Sequence, residues 1–344
     1  MERKILKWTT CWFGLLTIVM CASLYLLPGL KDGFAAAVQK IPEQLFQEKP
    51  IEIDEGHALD DEKLNIELPD GISGKDVQIE NDYVNRTIYV RFAKAVDRYS
   101  ENYIVRGSSN HIANLSYYKE NGEGVLEIKL DKACEYFYSY QDGFLCMELK
   151  DLHEVYEKVV VIDAGHGGTQ PGAVKKDISE KKLNLDIVLQ LKKILDQEDE
   201  KKIKVFYTRL DDSNPSLAER ADMANQLNAD LFISVHNNAS ADGKFDNTNG
   251  TMVLYSQKQD EEDSKRLAQI CLDNVNESAG SKDLGLVKGD HIYIIRTSNV
   301  PVALIEVGYM TNTKELNNLC SAEYQKKVAK GIYNAIMQAF EEGF

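Results

Sequence analysis

The sequence predicts an α/β domain, a sheet flanked by helices on both faces, preceded by a small antiparallel all-β domain and an N-terminal transmembrane helix. Three observations carry this: strand and helix patterns alternating after Val159, a period-two hydrophobic pattern from about Leu64 to His153, and an uncharged run from Trp8 to Leu30. The chain has 344 residues, which at ~100 to 200 residues per domain is room for about two. Hydrophobic residues make up 43% and charged residues 28%, ordinary globular usage that excludes a disordered chain or a polytopic membrane protein. A net charge of -15 and the lack of any Lys/Arg cluster exclude a face for phosphate backbones, so nucleic acid is not an expected partner.

The N-terminal run "WTTCWFGLLTIVMCASLYLLPGL" follows Glu2, Arg3, Lys4 and Lys7. It matches the ~20 apolar residues that span a bilayer and exceeds the ~7 to 15 of a signal-peptide core. The positive flank keeps that end cytoplasmic and sends the rest outward. Residues 1–30 are therefore expected to be a cytoplasmic stub and membrane anchor, giving a single-pass protein of the cell membrane with its body outside. Cleavage near Ala35-Ala36-Ala37, which would release the body to the cell wall, is the competing reading. Residues 31–63 are acidic and weakly patterned, as a linker is.

The six cysteines do not form a disulfide framework. Cys11 and Cys21 lie in the apolar run, and Cys271 and Cys320 in helical stretches. Cys134 and Cys146 flank a hairpin candidate turning at Asp142-Gly143, a register that puts them on opposite faces. No C-x-x-C spacing occurs, which excludes thiolate zinc sites and thioredoxin-like chemistry.

Within 64–153, "TIYVRF" alternates Ile88, Val90 and Phe92, and "VLEIKL" alternates Leu126, Ile128 and Leu130. Asn121-Gly122 and Asp142-Gly143 supply turns. Tyr117, Tyr118, Tyr136, Tyr138 and Tyr140 could stack on carbohydrate, giving a glycan or envelope contact, but cross-strand packing is the favoured reading.

Residues 157–344 form the second domain. "VVVID" is a strand, followed by a helix from about Glu180 to Gln197 with Leu183, Ile187, Leu191 and Ile194 in one stripe. "KIKVFYTR" is a strand, and Asn214-Pro215 start a helix carrying Leu217, Ala221 and Ala224. "LFISV", "TMVLYS", "HIYIIR" and "VALIEV" read as strands, with helices around Leu267 to Val275 and Ala322 to Phe340.

In open α/β sheets the functional crevice lies outside the carboxyl ends of the strands. His166 follows "VVVID" and His236 follows "LFISV", so both imidazoles leave at such ends. Glu180 opens the first helix, and the Gly-rich loop before it can fold that end back beside His166. Two imidazoles and one carboxylate make a Zn2+ site with an open fourth position, the arrangement of catalytic zinc. The glycines around His166 permit a sharp turn and leave room for a substrate. Glu306, at the end of "VALIEV", can act as general base and then general acid beside a zinc-activated water. Each residue alone has a blander reading: a hydrogen-bonded structural histidine, a helix-dipole glutamate, or for Glu306 a buried ion pair with Arg209 or Arg220. The coincidence of two histidines and two glutamates at element ends favours a site.

At these residues the chain resembles the zinc-dependent N-acetylmuramoyl-L-alanine amidases of the type 3 family, bacterial peptidoglycan hydrolases. The matching motifs, from about Lys158 to the C-terminus, are "VVVIDAGHGG", "SEKKLNLDI", Thr208-Arg209, "SLAERADMAN", "LFISVHNNA" and "VPVALIEVGYMTN". The resemblance implies a mixed sheet between helices, His166, Glu180 and His236 as zinc ligands, and Glu306 as the catalytic glutamate. It also implies hydrolysis of the amide joining N-acetylmuramic acid to L-alanine. Ala164 stands where many members have proline. Only "NNASADGKFDNTNG" follows His236 before the next strand, which leaves no room for the long helix that occludes zinc in some members. The β region resembles, more weakly, the AMIN domains that precede some of these amidases. Two other functions compete: zinc hydrolysis of a different amide, and a non-catalytic envelope-binding scaffold.

Overall fold

The period-two pattern in the first half of the chain yields eight strands that close over one apolar core. The computed structural model describes Ile51, Ile53 and residues 63–344 except 201, 259 and 260. The strands are β1 (Leu64–Glu67), β2 (Val77–Asp82), β3 (Thr87–Phe92), β4 (Val105–Gly107), β5 (Ile112–Glu120), β6 (Glu123–Leu130), β7 (Cys134–Gln141) and β8 (Phe144–Asp151). They form two antiparallel sheets, ordered β4-β1-β8-β7 and β2-β3-β6-β5. Ile66, Ile88, Val90, Phe92, Leu126 and Met147 are fully buried between them. Asn121-Gly122 and Asp142-Gly143 both turn with positive φ, the geometry that suits the strand twist. Tyr117 is buried in the sandwich core and Tyr118 is covered on the opposite face of the same strand, whereas Tyr138 and Tyr140 stay exposed on edge strand β7. Cys134 and Cys146 are free and buried.

After the short helix α1 (Leu152–Val155) the pattern changes to a mixed sheet. Its strands are β9 (Lys158–Ala164), β12 (Ile203–Tyr207), β13 (Leu231–Asn238), β14 (Thr251–Tyr255), β15 (Asp283–Lys288) and β16 (Val302–Tyr309), with a two-stranded hairpin, β10 (Val174–Lys175) and β11 (Ile178–Ser179), beside them. The order is β12-β9-β13-β16-β14-β15. The first four run parallel, and β14 and β15 run against them.

Helices α2 (Glu180–Leu195), α4 (Glu261–Ala279) and α7 (Ala322–Glu341) cover one face, and α3 (Leu217–Gln226) and α5 (Tyr293–Thr297) the other. A short α6 (Thr313–Leu319) precedes α7. Ile187, Leu191, Leu267 and Ile332 pack on Val160, Ile162 and Ile233; Ala221, Ala224 and Ile295 pack on Val161, Phe232 and Leu304. Burial on both sides explains why these strands read as continuous apolar runs.

Two expectations need correction. "HIYIIR" is not a strand: Tyr293–Thr297 is helical, and the adjacent Ile294 and Ile295 are both buried, as a helix face allows and an exposed-edge strand does not. The edge of the sheet beside β14 belongs to "DLGLVK", whose glycine and half-exposed side chains hide its strand character. The helix after Pro215 is capped by Ser216, which accepts from the Glu219 N–H while Glu219 accepts from the Ser216 N–H, so Asn214 and Pro215 lie just before the cap. The expected membrane segment Trp8 to Leu30 and nearly all of the 31–63 linker lie outside the described residues. Among the described residues no helix is long and apolar enough to cross a membrane.

Candidate active site

β9, β13 and β16 end together, and the side chains they release meet α2. His166 follows β9 with φ of 62°, a left-handed backbone that turns the chain sharply out of the sheet. His236 lies near the end of β13, and Glu180 is the first residue of α2, where a carboxylate is favoured by the exposed N–H groups. His166 Nε2 is 3.1 Å from Glu180 Oε2, and His236 Nδ1 is 2.8 Å from Glu180 Oε1. The imidazoles meet edge to face with centroids 4.9 Å apart. One nitrogen from each and a carboxylate oxygen lie within 4.8 Å of one another.

The carboxylate is held from behind. Ala173 N–H donates to Oε2 at 2.9 Å; Asn237 N–H and Asn184 Nδ2 reach Oε1 at 3.3 and 3.4 Å. Asn237 Nδ2 donates to Asn184 Oδ1 at 2.8 Å, fixing that amide in turn. Two glycines make the space. A Cβ on Gly165 would lie 2.2 Å from His236 Nε2, and one on Gly172, at φ of 67°, 2.3 Å from Glu180 Oε2. A side chain at either position would fill the cradle.

Electrostatics follow from the contacts. Burial alone would raise the Glu180 pKa, but hydrogen bonds from His166 and His236 hold it well below the ordinary carboxylate range. Burial lowers the His236 pKa, yet the Glu180 bond and charge, with Glu306 and Asp163 beyond, leave it above its usual value. Glu306 sits in register with His236 on β16. Its Oε2 is buried with no hydrogen-bond partner among the described residues. Burial pushes its pKa up to about 7, with His236 opposing and Glu180 reinforcing the shift.

The structure thus brings His166, Glu180, His236 and Glu306 to one cleft of about 670 Å³, lined also by Pro215, Leu217 and Ile292. No helix intervenes between His236 and β14, and the His166 side chain is 31% exposed at the cleft. The ion-pair reading of Glu306 does not hold: Arg220 binds Asp163 at 2.5 Å, and Arg209 binds main-chain carbonyls. Asp163 is the residue that sequence reasoning missed. Fully buried, it accepts from Thr208 Oγ1 and Ser234 Oγ at 2.6 Å each. The signal available was a carboxylate closing an apolar strand. The hairpin β10–β11 was also missed, because its turn at Lys176-Asp177, with both φ positive, read as loop.

Comparison with known proteins places this half of the molecule. A family model described as N-acetylmuramoyl-L-alanine amidase matches residues 160–338. The uncharacterized protein YqiI of Bacillus subtilis is 34% identical over 185 residues, covering 54% of this chain and 86% of YqiI. The N-acetylmuramoyl-L-alanine amidase LytC of the same organism is 31% identical over 186 residues, 54% of this chain but only 36% of LytC. The crystal structure of N-acetylmuramoyl-L-alanine amidase from Clostridium difficile 630 superimposes with a TM-score of 0.51 at 32% identity, covering 54% of this chain and 98% of that one. The β sandwich lies outside the family match.

Proposed function

The chain belongs to the N-acetylmuramoyl-L-alanine amidase family, and from that premise we propose that it is a zinc-dependent hydrolase of the amide between N-acetylmuramic acid and L-alanine in peptidoglycan. The observation that carries the reading is the donor set, two imidazole nitrogens and one carboxylate oxygen gathered at the floor of an open cleft. Three ligands of this kind suit catalytic zinc, which keeps a position free, rather than structural zinc. The ionised Glu180 fits as well, since a metal ligand must shed its proton. When bound, zinc supplies the Lewis acidity that polarises the scissile carbonyl and lets water attack near neutral pH.

The chain's own residues supply the remainder. His166, His236 and Glu180 bind, and Asn184, Asn237 and the Ala173 N–H orient the carboxylate. Glu306 moves the proton: Oε2, buried and without a hydrogen-bond partner among the described residues, accepts it from the attacking water and returns it to the departing alanine nitrogen. A pKa near 7 suits a group that must both take and give. Pro215, Leu217 and Ile292 line the cleft with apolar surface against which a substrate can pack.

We further read the β sandwich as an AMIN-like module contacting envelope glycan, and Trp8 to Leu30 as a membrane anchor that holds the cleft outside the cytoplasmic membrane. Sequence pattern is what supports both. Digestion of isolated peptidoglycan, with fragments identified by mass spectrometry, tests the activity. Stem peptides with free L-alanine N-termini and intact glycan strands are expected; cleavage at another amide would move the chain to a different substrate, and binding without release would favour the scaffold.

A further inference from the structure

Two buried arginines that this chemistry leaves unused converge on the turn that carries His166. Arg220 donates from Nε to Pro215 O at 3.0 Å, from Nη1 to Asp163 Oδ1 at 2.5 Å and Ala164 O at 2.8 Å, and from Nη2 to His166 O at 2.7 Å and Asn214 Oδ1 at 3.5 Å. All five guanidinium N–H groups therefore have an acceptor. Arg209 adds bonds to Ala164 O, Gly165 O and Lys181 O at 2.7, 2.9 and 2.8 Å. The carbonyls of three successive residues, 164 to 166, are thus fixed by two planar forks.

The middle of that turn needs such a restraint. His166 has φ of 62°, where a side chain crowds the backbone and a non-glycine residue persists only if its surroundings hold it. Charge pairing does not explain the arrangement, because one bond to Asp163 would suffice and a lysine could make it. Only a fork reaches Asp163 and two loop carbonyls at once.

We propose that Arg220 is a positioning residue for His166: anchored by Asp163, its guanidinium locks the His166 carbonyl so that the imidazole faces Glu180. The inference rests on the zinc reading of that site. Partners that orient a ligand from behind typically change metal affinity by about 10- to 100-fold when removed.

The test is zinc affinity of the whole protein, read by competition with a chromophoric chelator. Arg220→Lys is expected to bind zinc 10- to 100-fold more weakly than the unsubstituted protein. In a His166→Ala background the same substitution is expected to have no further effect, since the ligand it positions is gone. Unchanged affinity in Arg220→Lys overturns the proposal, as does an equal loss in both backgrounds, which would mean a general role in folding. If Arg220→Lys does not fold, Arg220→Ala titrated with free guanidinium serves instead: recovery of zinc affinity supports the proposal and its absence contradicts it. Failure of the unsubstituted protein to bind zinc would sink the zinc reading and this inference together, whereas tight binding by it and by Arg220→Lys sinks this inference alone.

Discussion

His236 and Glu306 stand opposite one another in register on the neighbouring parallel strands β13 and β16. Adjacent strands lie about 4.8 Å apart, so the sheet itself sets the spacing between a proposed metal ligand and the proposed base. Their environments then diverge. His236 is tied to Glu180, while the buried Oε2 of Glu306 has no hydrogen-bond partner among the described residues.

Replacing that carboxylate by its isosteric amide separates binding from turnover. Glu306→Gln is expected to keep its zinc and to lose roughly 100- to 10,000-fold in kcat, the usual share of a positioned acid–base group. Metal analysis beside single-turnover kinetics reads both quantities. Full activity with full zinc would remove Glu306 from the reaction. His166→Ala and His236→Ala, by contrast, should bind zinc measurably but more weakly, as well as lose turnover.

With His236 as a zinc ligand, as proposed, proton and zinc compete for it. Its pKa in the metal-free protein lies above the ordinary histidine value, so the proton persists to higher pH than usual. Zinc affinity should therefore rise with pH through that titration and level off above it, with protons released on binding. Calorimetry in buffers of different ionisation enthalpy measures the release. A pH-independent affinity would contradict the assignment.

Two glycines with the same φ of 67° separate backbone strain from site geometry. A Cβ on Gly172 would meet Glu180 Oε2 at 2.3 Å, but one on Gly243 would meet only Lys175 Nζ, at 3.5 Å. Both alanine substitutions should destabilise by about 1 to 3 kcal/mol through the left-handed backbone. Only Gly172→Ala should also weaken zinc, by roughly tenfold or more. Thermal melts and chelator competition on the pair test this; parallel losses of zinc would contradict it.

Asp163 and Arg220 predict an acid-sensitive stability. Burial raises the Asp163 pKa, but the Arg220 charge and the bonds from Ser234 and Thr208 more than offset it, leaving the folded value below 3.8. A depressed folded pKa contributes stability above the unfolded value and loses it as pH falls through the folded one. Stability should therefore drop as pH falls below about 4. Asp163→Asn should lack that contribution and be less stable by roughly 3 to 5 kcal/mol at neutral pH, because Arg220 is left as an unpaired buried charge. Denaturant titration gives the difference, and a loss below about 1 kcal/mol would contradict it.

The legible part of the molecule is the part built from local pattern. His166, His236 and Glu306 stand out because each ends or interrupts an apolar run where a core residue would otherwise sit, and Glu180 because it opens a helix. The sheet between helices follows from the same runs, while its mixed strand directions were implied by the family resemblance alone. Asp163 also closes such a run, but its role was not legible from that. Its partners Thr208, Arg220 and Ser234 come from a loop, a helix and a strand far apart in sequence, and only the folded domain brings them together. The stretch around Ile294 was misread because a short run of apolar residues has the same pattern in a strand and in one helical turn.

Zinc dependence of the specific bond cleavage tests the account most directly. Protein stripped of metal and titrated with zinc on isolated peptidoglycan should release no stem peptide at first, then release it in proportion to bound zinc up to one per chain, with Glu306→Gln silent throughout. Release that ignores zinc, or saturation with zinc without release, would contradict the account.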